Sequence, residues 1–205
     1  MNTNARGANA VAAAGFSLIE VMFVSGLMMV TSAIAVPMMS HSLGNFRLTG
    51  DARGIKNEIW LAKMQAAANF TRARLYVDLS TNSYRTETWR STGTPAWVAQ
   101  GGTRQLASAA ESYGFGLVAA PPPNTQATIT QAPPCRDAAG DAIANTACIV
   151  FNSRGIPVDQ TGAPTAANAI YVTDGTAVFG TTVSATSIVQ LWRTNPSATP
   201  RWVLQ

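Results

Sequence analysis

Hydrophobic and polar positions follow three successive patterns along the chain. From Phe16 to Met39 the apolar run is 24 residues long, and Glu20 is its only ionisable side chain. At 1.5 Å per residue a helix of that length spans roughly 36 Å, enough to cross the ~30 Å hydrocarbon core of a bilayer. The pattern then becomes two-sided. Leu48, Ala52, Ile55, Ile59, Ala62 and Ala66 recur at spacings of four and three, marking one face of an amphipathic helix that reaches about Phe70. Arg47, Arg53, Lys56, Asn57 and Lys63 fall on the opposite face and are expected to meet solvent. The two patterns together predict one long helix over roughly residues 16 to 71. Pro37 is expected to bend or loosen it, because proline removes a backbone hydrogen bond and crowds the preceding turn. Gly44, Gly50 and Gly54 add weak points of around 1 kcal/mol each relative to alanine.

Beyond the helix the period changes to two. Arg74–Asp78 and Tyr84–Trp89 flank Ser80-Thr81-Asn82-Ser83 and read as a hairpin. Further strands are predicted at Ala96–Gln100, Ala127–Gln131, Ala147–Asn152, Ala169–Thr173, Ala177–Val183, Ser187–Arg193 and Arg201–Leu204. Between them, Ala119-Ala120-Pro121-Pro122-Pro123-Asn124 suits neither a helix nor a central strand, and Pro133–Asn145 is a polar loop. The fold class is therefore α+β, a long N-terminal helix followed by an antiparallel β-sheet domain over residues 72–205.

Glu20 needs a physical reason. A carboxylate near the middle of a membrane helix costs about 2.5–3.5 kcal/mol, less toward the interface. A secretory signal peptide is a poor match, since its apolar core would be shorter and Pro37 follows Ala33 and Ala35 at once. A plain anchor explains the length but neither Glu20 nor the Gly-Phe junction before it. The segment Gly15-Phe16-Ser17-Leu18-Ile19-Glu20 resembles the processing site of type IV prepilins and of the pseudopilins of type II secretion. The resemblance implies cleavage after Gly15 by a membrane-embedded prepilin peptidase and N-methylation of Phe16. It also implies that Glu20 pairs with the N-terminal amine of a neighbouring subunit during assembly, giving the buried acid a cation.

On this resemblance residues 1–15 are a leader to be removed. Arg6 and the α-amine give it a modest positive flank, poorer in Lys and Arg than family leaders often are, which favours a cytoplasmic leader and an outward-facing domain. Residues 16–39 are then the transmembrane and filament-core helix, 40–71 its amphipathic continuation, and 72–205 a periplasmic globular domain. The helix end Leu61–Asn69 running into a strand, and the later Ile149-Val150-Phe151-Asn152-Ser153-Arg154-Gly155-Ile156-Pro157, resemble the GspH/FimT-type minor pilins and pseudopilins. The first of these two motifs is only partly met. The resemblance implies a pilin-like fold and a minor pilin of the inner membrane, later carried into a surface pilus. Its partners would be the peptidase, other minor pilins and the major pilin, and the H-type pseudopilin of type II secretion is the alternative.

Composition adds little and removes much. The chain has 205 residues, 12% of them charged, with a net charge of +4. In an oxidising periplasm Cys135 and Cys148 favour a disulfide, worth about 3 kcal/mol for a ring of this size, with two free thiols as the alternative. The lone His41 lies beside the membrane segment, so a zinc site and a Ser–His–acid triad both lack ligands. No cofactor is expected. Some pilins of this group bind DNA through C-terminal arginines in a G-R-x-R-like element. Arg193 and Arg201 would contact phosphates here, with Trp192 and Trp202 stacking on bases. That spacing is absent, and the competing reading makes the tryptophans core or interface anchors.

Overall fold

The computed structural model describes residues 16–159, 161–166 and 168–205, and for residues 36–38, 40 and 41 it describes the backbone alone. One helix, α1 (Leu18–Ala68), precedes ten strands. These are β1 (Ala73–Asp78), β2 (Ser83–Arg90), β3 (Ala96–Gln105), β4 (Ser112–Tyr113), β5 (Thr146–Phe151), β6 (Pro157–Val158), β7 (Asn168–Thr173), β8 (Val178–Val183), β9 (Val189–Thr194) and β10 (Val203–Leu204). The chain forms two compact units, Met1–Ser42 and Leu43–Gln205.

In the first unit, Leu18–Ala35 is long and apolar enough to cross a membrane, and none of it is buried. Its hydroxyls turn back onto the helix: Ser25 Oγ donates to the Val21 carbonyl and Thr31 Oγ1 donates to the Leu27 carbonyl. Polar side chains satisfied in this way are compatible with apolar surroundings. The helix continues through Pro37, Gly44, Gly50 and Gly54, so weak local propensity does not divide it.

In the second unit the stripe Leu48, Ala52, Ile55, Ile59, Ala62 and Ala66 is at most 1% exposed. It packs in one cluster with Leu75 and Val77 of β1, Ile149 and Phe151 of β5, and Ile170, Phe179 and Leu191 of β7–β9. Three alanines in the stripe let the helix lie close to the strands. At Gly54 the approach is close: an added Cβ would come within 2.6 Å of the Tyr84 hydroxyl oxygen. Polar ties supplement the packing. Glu58 accepts from Thr86 Oγ1 at 2.7 Å and pairs with Arg104 at 3.1 Å, and Lys63 donates to the Ser187 carbonyl at 3.0 Å. The helix ends in a Schellman arrangement, with Thr71 N–H donating to Ala66 O and Phe70 N–H to Ala67 O. Phe70 holds the left-handed conformation there (φ 50°) and leaves its ring in solvent.

The strands form two antiparallel sheets, β3-β2-β1-β5-β6 and β10-β9-β8-β7-β4. The predicted hairpin is β1–β2, paired from Ala73↔Thr88 to Asp78↔Ser83. Asp78 Oδ1 accepts from the Ser80 and Thr81 amides in its turn, and Asn82 supplies a positive φ. Two expectations need correction. Ala127–Gln131 is not a strand; the Gln131 amide instead receives the Tyr171 N–H (2.9 Å) and donates to the Tyr171 carbonyl (2.8 Å). One side chain thus stands in for a strand neighbour and blunts the β7 edge. The second is an addition: β4 and β6 are strands of two residues each, too short for alternation to predict.

Each sheet is also covered on the face turned away from α1. Val118, Phe115, Ile129 and Trp202 pack over Ala169, Tyr171 and Val178 of the second sheet. Cys135 and Ile143 pack over Tyr76, Cys148 and Val150 of the first, where Cys135 and Cys148 are bonded. Burial on both sides explains why β7 and β8 are buried along their whole length rather than alternating.

Gly180 faces Tyr171 across β7–β8, and an added Cβ would lie 2.6 and 2.9 Å from two carbons of that fully buried ring. Gln126 holds the ring from its other end through a 2.8 Å hydrogen bond to the hydroxyl. Aromatic packing over a strand glycine is a recurrent device, and it leaves no room for a methyl group. Gly180→Ala is expected to destabilise the fold by about 1–3 kcal/mol. Urea unfolding read by near-ultraviolet circular dichroism checks this; an unchanged midpoint would show that Tyr171 is free to move.

Candidate functional site

The residues singled out by sequence fall into separate places. Gly15 and the leader lie outside the described residues. Phe16 is 82% exposed, and Glu20 opens the first turn of α1. The three ion pairs among the described residues all lie in the second unit, and none involves Glu20. The exposed side of α1 in that unit carries Trp60, Leu61 and Met64 alongside Arg47, Arg53 and Asn57.

At the C-terminal end, β9 and the segment leading into β10 bring Arg193 and Arg201 to one cavity of about 650 Å³, with Thr194, Asn195, Ser197 and Thr199. Arg193 lies over the Phe179 ring at 5.7 Å, and its Nε is buried without an acceptor. The indoles do not join this cavity. Trp192 Nε1 donates to Thr182 Oγ1 at 3.1 Å. Trp202 packs on Tyr171 with ring centres 6.0 Å apart, and its Nε1 donates to the Ala120 carbonyl at 2.9 Å.

A denser polar cluster, not singled out from sequence, covers the outer face of the first sheet. Glu87 accepts from Arg74 through Nε (2.7 Å) and Nη2 (2.6 Å), and from Arg85 through Nε and Nη2 at 2.7 Å each. The Arg74 and Glu87 side chains are only 4% and 5% exposed. Aromatic rings interleave with these charges: Arg85 lies 4.0 Å from the Tyr76 ring centre, and Arg74 lies 4.0 Å from that of Trp97. Burial pulls the Arg74 pKa down, and the Glu87 carboxylate opposes that shift. A signal was present in the sequence. Arg74 and Tyr76 in one strand, and Arg85, Glu87 and Trp89 in the next, alternate at period two and so share a face.

Glu111, just before β4, is 1% exposed, and neither carboxyl oxygen has a hydrogen-bond partner. Burial raises its pKa to about 8, reinforced by the neighbouring carboxylates of Asp51 and Asp174 and opposed by Arg47. Held protonated, Glu111 adds no second repelling charge beside Asp51. Among the described residues no group of three or more His, Cys, Asp or Glu side chains is placed to hold a metal ion.

No known protein family matches this chain, and no curated protein matches it. Among solved structures it is similar to the minor pseudopilin EpsH from the type 2 secretion system of Vibrio cholerae. The identity is 10%, the TM-score 0.36, and the match covers 78% of this chain and 96% of that one. Similarity at this level assigns neither a family nor a role.

The buried Glu111 makes stability depend on pH. Below the ordinary carboxylate value of 4.5 the folded and unfolded chains both carry the proton. Above it the unfolded chain releases the proton first, while the folded chain retains one up to about pH 8, so stability falls as pH rises through that window. Glu111→Gln removes the titration. Urea midpoints of the two proteins should agree near pH 4 and diverge toward pH 8, with the variant the more stable; parallel curves would contradict the assignment.

Proposed function

We propose that this chain is a pilin-class assembly subunit, specifically a minor type IV pilin. Its leader is removed between Gly15 and Phe16, the Phe16 amine is methylated, and the mature protein primes or caps a pilus. The observation that carries the reading is Glu20, a lone carboxylate in the first turn of a helix whose span Leu18–Ala35 is apolar and wholly exposed. In hydrocarbon an unpaired charge at that position is costly, and none of the ion pairs among the described residues gives Glu20 a cation. A second subunit, shifted along the helix axis, does so through the amine created by the cut. The second unit offers exposed apolar side chains of its own at Trp60, Leu61 and Met64. Assembly then buries in a bundle of helices what membrane lipid covers before it.

The role is structural and enzymatic chemistry has no part in it. Nucleic acid is left out as well, because both C-terminal indoles are engaged within the fold and, of the four candidate contacts, only Arg193 and Arg201 line the cavity there. An H-type minor pseudopilin of type II secretion would share the same processing and the same Glu20 pairing. The two differ in where the mature subunit is recovered, in sheared pili or with a secretion apparatus.

Processing is tested by intact mass of the protein from membranes with and without a prepilin peptidase. A product starting at N-methyl-Phe16 is expected only when the peptidase is present, and an uncut chain under both conditions overturns the proposal. Glu20→Ala is expected to be processed normally yet to be depleted at least about tenfold from assembled filaments, consistent with losing a charge-assisted pair. Immunoblots of sheared filaments measure this, and wild-type recovery of the mutant would remove the pairing.

A further inference from the structure

On the outer face of the first sheet, beside the Glu87 cluster, lies a cavity of about 410 Å³, within the range of sites that take small ligands and peptide segments. The indoles of Trp89 and Trp97, edge to face at 5.2 Å, form one wall. Val150 and Val158 line it, together with the Pro133–Pro134 end of the disulfide loop and Asn168 at the start of β7.

The polar groups of this cavity are not balanced. Arg74 is matched by Glu87. The two acids at the rim are turned onto their own loops: Asp137 Oδ1 accepts from the amides of Ala139 and Asp141, and Asp159 Oδ1 from those of Thr161 and Ala163. Two donors remain. Arg72 lies over both indoles, 4.8 Å from the Trp89 ring centre and 5.8 Å from that of Trp97, and takes part in none of the ion pairs among the described residues. Asn168 is 4% exposed, and its Nδ2 has no acceptor. Asn168 Nδ2 is a buried donor without an acceptor and Arg72 an exposed cation without a carboxylate partner, so the occupant that complements both brings acceptors, one of them anionic.

A guanidinium stacked on a ring still presents its N–H edge, the geometry that binds a carboxylate in bidentate fashion. Bases of a single-stranded nucleic acid would need open ring faces to stack on. Here Arg72 lies over both indoles and Arg74 stands 4.0 Å from the Trp97 ring centre. A peptide meets the requirements more fully. Its carboxylate reaches Arg72, a main-chain carbonyl reaches Asn168 Nδ2, and its apolar atoms lie on the valines and prolines. We propose that this cleft binds an extended peptide segment of a partner protein, with a carboxylate held by Arg72.

The carboxylate can come from an acidic side chain or from a free C-terminus, and three probe peptides separate these sources: acetyl-AAEAA-amide, acetyl-AAQAA with a free C-terminus, and neutral acetyl-AAQAA-amide. Binding to the full chain in detergent micelles is followed by calorimetry and by tryptophan emission. At least one acidic peptide is expected to bind about tenfold or more tightly than the neutral one, an advantage that Arg72→Gln abolishes. Asn168→Ala is expected to weaken binding by a smaller factor. Arg72 is exposed, so its replacement leaves the fold intact and keeps the test decisive if Asn168→Ala misfolds. Equal binding of all three peptides, or unchanged binding by Arg72→Gln, overturns the proposal. So does Arg72-dependent binding of oligo(dT) with no peptide bound.

Discussion

Everything in the second unit is arranged around the contact between the Leu48–Ala66 stripe of α1 and the two sheets. The stripe meets both sheets in one continuous core, so neither sheet has a separate means of closing against water. Burying side chains the size of Leu48, Ile55 and Ile59 contributes about 1.5–3 kcal/mol each, and the alanines between them let the helix approach closely enough for that contact. The polar ties from Glu58 and Lys63 set the helix in register along the strands. A helix with weak intrinsic propensity, carrying Gly50 and Gly54 in this stretch, is held by packing rather than by its own ladder.

With that core occupied, the outer faces of the sheets have other uses. One is closed by an apolar lid around Tyr171, which depends on Gly180 leaving space beneath the ring. The other carries charge. Arg74 and Glu87 are buried together, an arrangement that adds little net stability but makes loss of either partner costly, about 3–5 kcal/mol. It also fixes the face on which Trp97 and Tyr76 lie against arginines, and so the shape of the neighbouring cleft. The disulfide between Cys135 and Cys148 secures the loop forming part of that cleft's rim.

The first unit obeys a different rule. The apolar side chains of Leu18–Ala35 have no internal core to enter; on the function proposed above, lipid or other helices cover them and a neighbour's amine meets Glu20. On the proposed reading one unit supplies a means of assembly, and the other carries the cleft proposed to hold a partner's peptide.

Much of this was legible in the chain. The apolar run, the helical stripe and the β1–β2 hairpin are encoded by residues within a few positions of one another, where period alone separates helix from strand. Glu20 stood out because a charge in an apolar run is locally anomalous. What tertiary structure decided are contacts between residues far apart in sequence. Ala127–Gln131 alternates like a strand, yet its backbone takes no place in the sheet because the Gln131 side chain fills it. Arg74 and Glu87 look like solvent-facing charges until they pair with each other and Arg74 meets the Arg136 carbonyl of the disulfide loop. Arg193 reaches Arg201 while Trp192 and Trp202 turn to separate partners, and Arg72 shares a cleft with Asn168 only because the strands that carry them are brought together by one core. Periodicity records which face a residue takes; which distant segment comes to lie on that face is set by packing.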